Sequence, residues 1–212
     1  MEDLFIIGTG GQARDLAEIA HALSYRPVLV ARNADERDAV AASFDVALED
    51  EVLELEDAHF ALGIGDNRLR ASLSAKLGGG RNFPALIHPD STIGRTSAEA
   101  VRASRGTVIF PGVRIMGHCT VGHFCTLNLN ATVSHDCAIG DFANLSPGAH
   151  LAGNVDLGEG AWIGMGVVVN QGSDAARRKI GAWATVGSGA AVVRDVPPGA
   201  TQVGVPARGI VP

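Results

Sequence analysis

The chain has 212 residues, a formal net charge of −6 and 27 glycines. Its length can hold two domains with a sizeable core, and its acidic balance disfavours nucleic acid and anionic membrane surfaces as partners. No apolar run approaches the ~18 residues of a membrane span, and no basic segment precedes the first predicted strand, which disfavours a signal peptide. We therefore expect a cytoplasmic protein.

The first predicted elements form a strand, a glycine-rich turn, a helix and a second strand. The strands cover residues 4–7 and 27–30, and the helix runs from about 14 to 23. Such a unit is typical of nucleotide-binding parallel sheets, because glycine lets the backbone approach phosphate and a helix N-terminus supplies amide donors. The predicted substrate-binding residues of this turn are Gly8, Gly10, Gly11 and Gln12.

The turn does not complete a dinucleotide fingerprint. Ala13 occupies the place of the third glycine, and Arg32-Asn33 follow the second strand where an acidic residue would bind a ribose. A hydride-transferring NAD enzyme is therefore disfavoured.

A third predicted strand, residues 58–64, ends in another turn before a helix that begins near Leu69. Ligands bind at the carboxyl ends of parallel strands, so Gly65, Asp66 and Asn67 are further predicted substrate contacts. Asp66 and Asn67 could equally cap the helix, and both roles can hold at once.

A six-residue repeat occupies most of the remaining sequence. Ten consecutive blocks run from Ile115 to Asp174, each with Ile, Val or Leu first and a small residue fifth. This period predicts a solenoid with one block on each flat face and three blocks in each triangular coil. Residues 98–107 and 175–179 interrupt the repeat. Other blocks begin at Ile87, Ile93, Ile180, Val186 and Val192, and the coil resumes at Val108 after the first interruption.

The three cysteines, Cys119, Cys125 and Cys137, all occupy the small fifth position of a block. Their spacing is therefore that of the coil. A metal site with neighbouring histidines is conceivable, but buried reduced thiols are the better interpretation, and we expect no metal.

Five stretches along the chain resemble a known branch of the hexapeptide-repeat acyltransferases, the nucleotide-sugar N-acetyltransferases and sialic-acid O-acetyltransferases. These are residues 8–14, 63–70, 86–89, 133–137 and 203–208. The resemblance implies an α/β N-terminal domain with a small Rossmann-like parallel sheet, residues 1–84, that binds the nucleotide sugar. It implies a left-handed parallel β-helix, residues 85–212, that carries the acyltransferase site.

The implied reaction is acetyl-CoA-dependent N-acetylation of a nucleotide-linked amino sugar, such as a UDP- or GDP-4-amino-deoxysugar. O-acetylation of a sialic-acid-type sugar and a catalytically inactive sugar-nucleotide-binding module remain alternatives. UDP-sugar members commonly carry an acidic pair after the second strand. Arg32-Asn33 stand there instead, which leaves a guanosine or thymidine carrier open.

The acceptor must lose a proton as it attacks the thioester, and histidine is suited to accept it. Among seven histidines, His135 is followed directly by an acid, Asp136. In the family, the matching histidine is the general base and the adjacent acid orients it. The resemblance thus implies His135 and Asp136 as the catalytic residues.

The resemblance also places acetyl-CoA in a groove between neighbouring subunits of a homotrimer, with active sites at the interfaces. The basic insertion, residues 175–179, is then either a solvated loop or a loop that faces the CoA 3′-phosphate. The predicted acetyl-CoA contacts are Asn144, Gly153, Gly164, Gly187, Val205, Pro206 and Arg208.

Overall fold

The computed structural model describes residues 1–78 and 80–210. The N-terminal part is a four-stranded parallel sheet with helices packed against it. Its elements are β1 (Asp3–Ile7), α1 (Gly11–Ala22), β2 (Arg26–Ala31), α2 (Ala34–Asp38), β3 (Asp45–Leu48), α3 (Glu49–Val52), β4 (His59–Leu62) and α4 (Asn67–Leu77).

The strand order β3-β2-β1-β4 makes β1 and β4 neighbours. The two glycine-bearing turns that follow these strands therefore lie side by side at one edge of the sheet. A Cβ on Gly63 would lie 2.5 Å from the Cβ of Ala13, so this glycine allows α1 to pack closely against the end of β4. The sequence did not predict β3, which is a short edge strand without a fully buried residue.

The remaining chain winds as a three-sided parallel β-helix, as the six-residue repeat predicted. This part of the chain contains a helix, α5 (Ala98–Arg102), within the interruption of the repeat predicted at residues 98–107. Its strands are β5 (Leu86–Ile87), β6 (Thr92–Ile93), β7 (Val108–Ile109), β8 (Arg114–Ile115), β9 (Thr120–Val121), β10 (Thr126–Leu127), β11 (Thr132–Val133), β12 (Ala138–Ile139), β13 (Asn144–Leu145), β14 (His150–Leu151), β15 (Val155–Leu157), β16 (Trp162–Ile163), β17 (Val168–Val169), β18 (Arg178–Ile180), β19 (Thr185–Val186), β20 (Ala191–Val192), β21 (Thr201–Val203) and β22 (Arg208–Gly209).

From β5 to β21, each strand pairs in parallel with the strand one full turn away, so the strands form three faces, and β22 pairs antiparallel with β21. We call the face that contains β7, β10 and β13 the first face. The face with β8, β11 and β14 is the second, and that with β9, β12 and β15 is the third. From Ile115 onward, the first residue of each block points inward and is buried, and the three cysteines are buried free thiols.

Residues with a left-handed backbone turn the corners of this prism. Phe124, Asp136 and Phe142 have φ of 53°, 58° and 59°. The backbone amides of these residues donate to a carbonyl of the preceding turn of the coil. Asn154, another corner residue, donates in the same way to the carbonyl of His135, which comes directly before the corner residue Asp136. The carbonyl oxygens of Phe124, Asp136 and Phe142 are left free for donors from outside the coil.

Helix α4 uses such carbonyls to dock the N-terminal part on the corner between the third and first faces. Arg70, which is 2% exposed, donates to the carbonyls of Phe124 and Phe142, each at 2.8 Å, and to Ile64 at 3.0 Å. Burial lowers the pKa of Arg70 to about 10, so the guanidinium is still charged at neutral pH.

The N-terminal part covers the first face. Val108 and Thr126 are buried although they point away from the interior of the prism. Residues of α1 also belong to the same apolar cluster as the coil. Within the described ranges, no helix is long and apolar enough to cross a membrane.

Candidate active site

His135 and Asp136 form the corner between the second and third faces, after β11. His135 Nδ1 lies 2.7 Å from Asp136 Oδ2, and the two side chains are 61% and 41% exposed. An ionised Asp136 accepts the proton of Nδ1, which leaves Nε2 as the basic nitrogen. The pair can therefore present an oriented, accessible base to a ligand.

Gly153 lies at the same corner, one turn further along the coil. A Cβ on Gly153 would lie 2.5 Å from Cε1 and 2.6 Å from Nε2 of His135. The imidazole of His135 therefore packs against the backbone of Gly153, in the space where a side chain at residue 153 would lie. This brings a predicted acetyl-CoA contact directly against the predicted base.

Other histidines are engaged elsewhere. The Nδ1 atoms of His88 and His123 each accept a backbone amide at 3.0 Å, from Asp90 and Arg105. His59 also has a carboxylate neighbour, Glu2 at 3.3 Å, but it begins β4, at the opposite end from the glycine turns.

The predicted substrate-binding glycines meet at the carboxyl edge of the sheet. Gly8 has φ of 113° and packs against Ile64, while Gly10, Gly11 and Gly65 have open space where a side chain would be. No side chain caps α1, so its first amides point towards this edge without a side-chain acceptor. Gln12 is half-buried in the first turn of the same helix.

Asp66 caps α4, because its Oδ1 accepts the amide of Leu69 at 2.7 Å. Asn67 is buried, donates to the carbonyl of Gly160 at 3.1 Å and accepts from Arg70 at 2.9 Å. The amide group of Asn67 holds α4 on the coil, and its contact with substrate stays a prediction.

Several known structures match this arrangement along its whole length. The acetyltransferase domain of PglB from Neisseria gonorrhoeae is 30% identical, with a TM-score of 0.84, over 99% of this chain and 100% of that chain. A variant of perosamine N-acetyltransferase from Caulobacter crescentus in complex with CoA and GDP-perosamine is 30% identical, with a TM-score of 0.85, over 100% and 98%. Residues 3–77 match the family described as the PglD N-terminal domain.

The chain belongs to the hexapeptide-repeat nucleotide-sugar N-acetyltransferases. No curated protein sequence matches it significantly. The family confirms the predicted α/β domain followed by a left-handed β-helix, and it makes the chain an acetyl-CoA-dependent sugar acetyltransferase.

In this acetyltransferase, the second face lies between the corner of His135 and that of Gly164 and Gly187. The amides of the two glycines donate within the coil, to Val186 at 2.8 Å and Gln202 at 2.9 Å. A Cβ on Gly164 would also lie 2.6 Å from the nitrogen of Ser188. Close stacking of coils therefore explains Gly164, and its contact with acetyl-CoA stays a prediction.

The C-terminal segment of the acetyltransferase passes the end of the second face. The amide of Ala191 in β20 donates to Gly204 at 3.0 Å, and Val205, Pro206 and Arg208 are exposed beyond it. These three residues are accessible to a ligand bound along the second face.

Asn144 lies elsewhere, on the covered first face. It is buried, and its amide donates to Ser146 Oγ at 2.9 Å. Asn144 points outward from the repeat but is buried on this face, and the acetyl-CoA contact predicted for it stays a prediction.

The residues after β2 have structural roles. Arg32 forms an ion pair with Glu36, and Asn33 Oδ1 accepts the amide of Glu36 at 2.9 Å and caps α2. Neither side chain supplies the carboxylate that an acidic pair would offer to a nucleoside.

Sequence reasoning missed the role of the basic insertion. Arg177 and Arg178 bond to carboxylates of the coil, Asp156 at 2.7 Å and Asp195 at 2.8 Å. Both guanidinium groups are thus held within the chain. The signal in the sequence was the break of the repeat at the corner that carries His135.

Among residues 1–78 and 80–210, no three His, Cys, Asp or Glu side chains lie close enough together to hold a metal ion.

Proposed function

We propose that the chain transfers the acetyl group of acetyl-CoA to the amino group of a nucleotide-linked amino sugar, with His135 as general base. The observation that carries this proposal is the 2.7 Å contact of His135 Nδ1 with Asp136, which leaves Nε2 as the basic nitrogen of a side chain that is 61% exposed. The whole-length likeness to perosamine N-acetyltransferase, solved with CoA and GDP-perosamine, supports the substrate class.

His135 Nε2 accepts a proton from the acceptor nitrogen as that nitrogen bonds to the thioester carbonyl carbon. The ionised Asp136 stabilises the imidazolium that forms. When the tetrahedral intermediate collapses, the carbon–sulfur bond breaks and the imidazolium returns the proton to the CoA thiolate. The products are the N-acetylated sugar, CoA and neutral His135.

The nucleotide diphosphate binds at the turn of the N-terminal domain. Gly8, Gly10 and Gly11 keep side chains away from the N-terminus of α1, where free amides and the positive end of the helix dipole attract phosphate. Gln12 and Gly65 lie beside this turn, and Asp66 keeps one carboxylate oxygen beyond its cap to α4.

The protein acts as a homotrimer with an active site at each interface. Within one chain, the N-terminal domain covers the first face, whereas His135 lies at the opposite corner. The nucleotide domain that serves His135 therefore comes from a neighbouring copy. Large apolar side chains are exposed on the second face and its corners: Met116, Leu129, Met165, Val168 and Val193. Their burial would stabilise the assembly.

A thiol-release assay with acetyl-CoA and GDP-, UDP- and dTDP-linked 4-amino sugars tests the reaction. We expect turnover with an amino sugar and none with the matching 4-hydroxy sugar. His135→Ala should lower kcat by about 10²–10⁴-fold while calorimetry shows unchanged acetyl-CoA affinity. Asp136→Asn should cost less, because the base remains. Wild-type turnover by His135→Ala would refute the mechanism.

A further inference from the structure

The basic insertion, residues 175–179, lies at the same corner of the coil as the proposed catalytic pair. The amide of Gly172 donates to Gly153 at 3.0 Å and that of Arg178 donates to Asn154 at 2.9 Å. The insertion therefore stacks on the turn of the coil next to that of His135 and Asp136. From this position a long side chain can reach back across one turn.

Arg177 makes this reach. Its Nε donates to Asp156 Oδ1 at 2.7 Å, its Nη1 to Asn154 Oδ1 at 3.3 Å, and its Nη2 to the backbone carbonyl of Asp136 at 2.7 Å. The side chain is 31% exposed. The hydrogen bond to the Asp156 carboxylate raises the pKa of Arg177, so the guanidinium stays charged.

The carbonyl that Arg177 binds is one that the coil leaves free. Arg70 occupies the corresponding carbonyls of Phe124 and Phe142 at another corner. Arg70 fixes a domain in this way, whereas Arg177 fixes the peptide that follows Asp136. Asp136 has a left-handed φ of 58°, so this anchor restrains the backbone from which its carboxylate reaches His135.

We infer that Arg177 is a positioning residue for acetyl transfer, which holds Asp136 in the orientation that aligns the His135 imidazole. The inference rests on the proposed role of His135 as base. Arg177 acts through Asp136 and does not itself bind acetyl-CoA. The same insertion supplies a matched control, because Arg178 pairs with Asp195 and makes no hydrogen bond to His135 or Asp136.

Steady-state kinetics of Arg177→Ala, Arg177→Lys and Arg178→Ala test the inference. Arg177→Ala should lower kcat by about 10–100-fold, the usual cost of losing a group that orients a functional side chain, with both KM values nearly unchanged. Arg177→Lys should recover little, since a single ammonium cannot span Asp156 and the Asp136 carbonyl. Arg178→Ala should keep kcat within about twofold of the wild type.

A second comparison separates positioning from general stability. If Arg177 acts through the Asp136 carboxylate, adding Arg177→Ala to Asp136→Asn should lower kcat little further. An equal loss in both backgrounds, or wild-type kcat in both folded Arg177 variants, overturns the inference. A raised KM for acetyl-CoA with normal kcat would overturn it in favour of phosphate binding. Wild-type turnover by His135→Ala would instead refute the proposed function itself.

Discussion

The imidazole of His135 rests against a backbone position that has no side chain. Gly153→Ala would place a Cβ within 2.6 Å of Nε2, and the flexible ring, rather than the coil, must move. We expect a folded protein with a kcat lowered by up to about 100-fold, because the base is displaced, and a weaker affinity for acetyl-CoA, because Gly153 is a predicted contact of that ligand. Kinetics and calorimetry of the purified variant measure both quantities.

Gly80→Ala is the matched control, since a Cβ there has no atom within 4 Å. It should leave kcat unchanged. Normal kcat in Gly153→Ala would mean that the ring position in the structure is not the one used in catalysis.

For single residues, the sequence predicts contacts between neighbours along the chain but not contacts between residues on different turns of the coil. His135 and Asp136 are neighbours in sequence, so their contact could be expected. The approach of Gly153 and Arg177 to this pair depends on how successive turns stack. Nor does the sequence show that Asn144 and Asn67, both predicted as ligand contacts, are buried within the folded chain.

Among the elements, α4 joins the two parts of the chain through one buried arginine. Arg70→Met would leave the carbonyls of Phe124 and Phe142 without their donor inside the interface. We expect a loss of about 3 kcal/mol or more in the free energy of unfolding, measured with urea. Arg68→Ala, in the same helix, removes an exposed guanidinium that stacks 4.6 Å from the Trp183 ring. It should cost about 1 kcal/mol or less.

Equal losses of unfolding free energy in Arg70→Met and Arg68→Ala would show that the buried hydrogen bonds of Arg70 are not what stabilises the contact between the two domains. Limited proteolysis between residues 80 and 86 provides an independent measure, because a loosened α4 should expose that segment to cleavage.

The sequence predicts the strands of the coil better than those of the sheet. Each coil block repeats the same inward aliphatic and the same corner, so register follows from periodicity alone. The edge strand β3 has four residues and no complete burial, and this leaves no alternation to detect. Likewise, α5 lies in a break of the repeat, where periodicity carries no information.

In the whole molecule, the proposed arrangement predicts complementation between inactive variants. Gly10 has φ of −72° and open space, so Gly10→Val should fold and obstruct only the diphosphate site. His135→Ala should lack only the base. After co-refolding at equal amounts, about a quarter of the interfaces in random homotrimers would pair two intact halves and regain activity.

Each variant refolded alone is the control and should remain inactive. A mixture that stays as inactive as its components, despite forming trimers by sedimentation, would place the nucleotide domain and the base of one site in the same chain.

The separation of the nucleotide domain from His135 on opposite sides of the prism has a genetic consequence. In the proposed trimer, each chain would lend its base to one site and its nucleotide domain to another. A copy defective in both halves would therefore silence the sites on both of its sides when it joins intact copies. With equal amounts of defective and intact chains, only about a quarter of the sites would be active, fewer than the half expected if each site lay within one chain, whereas alleles defective in different halves would partly restore one another.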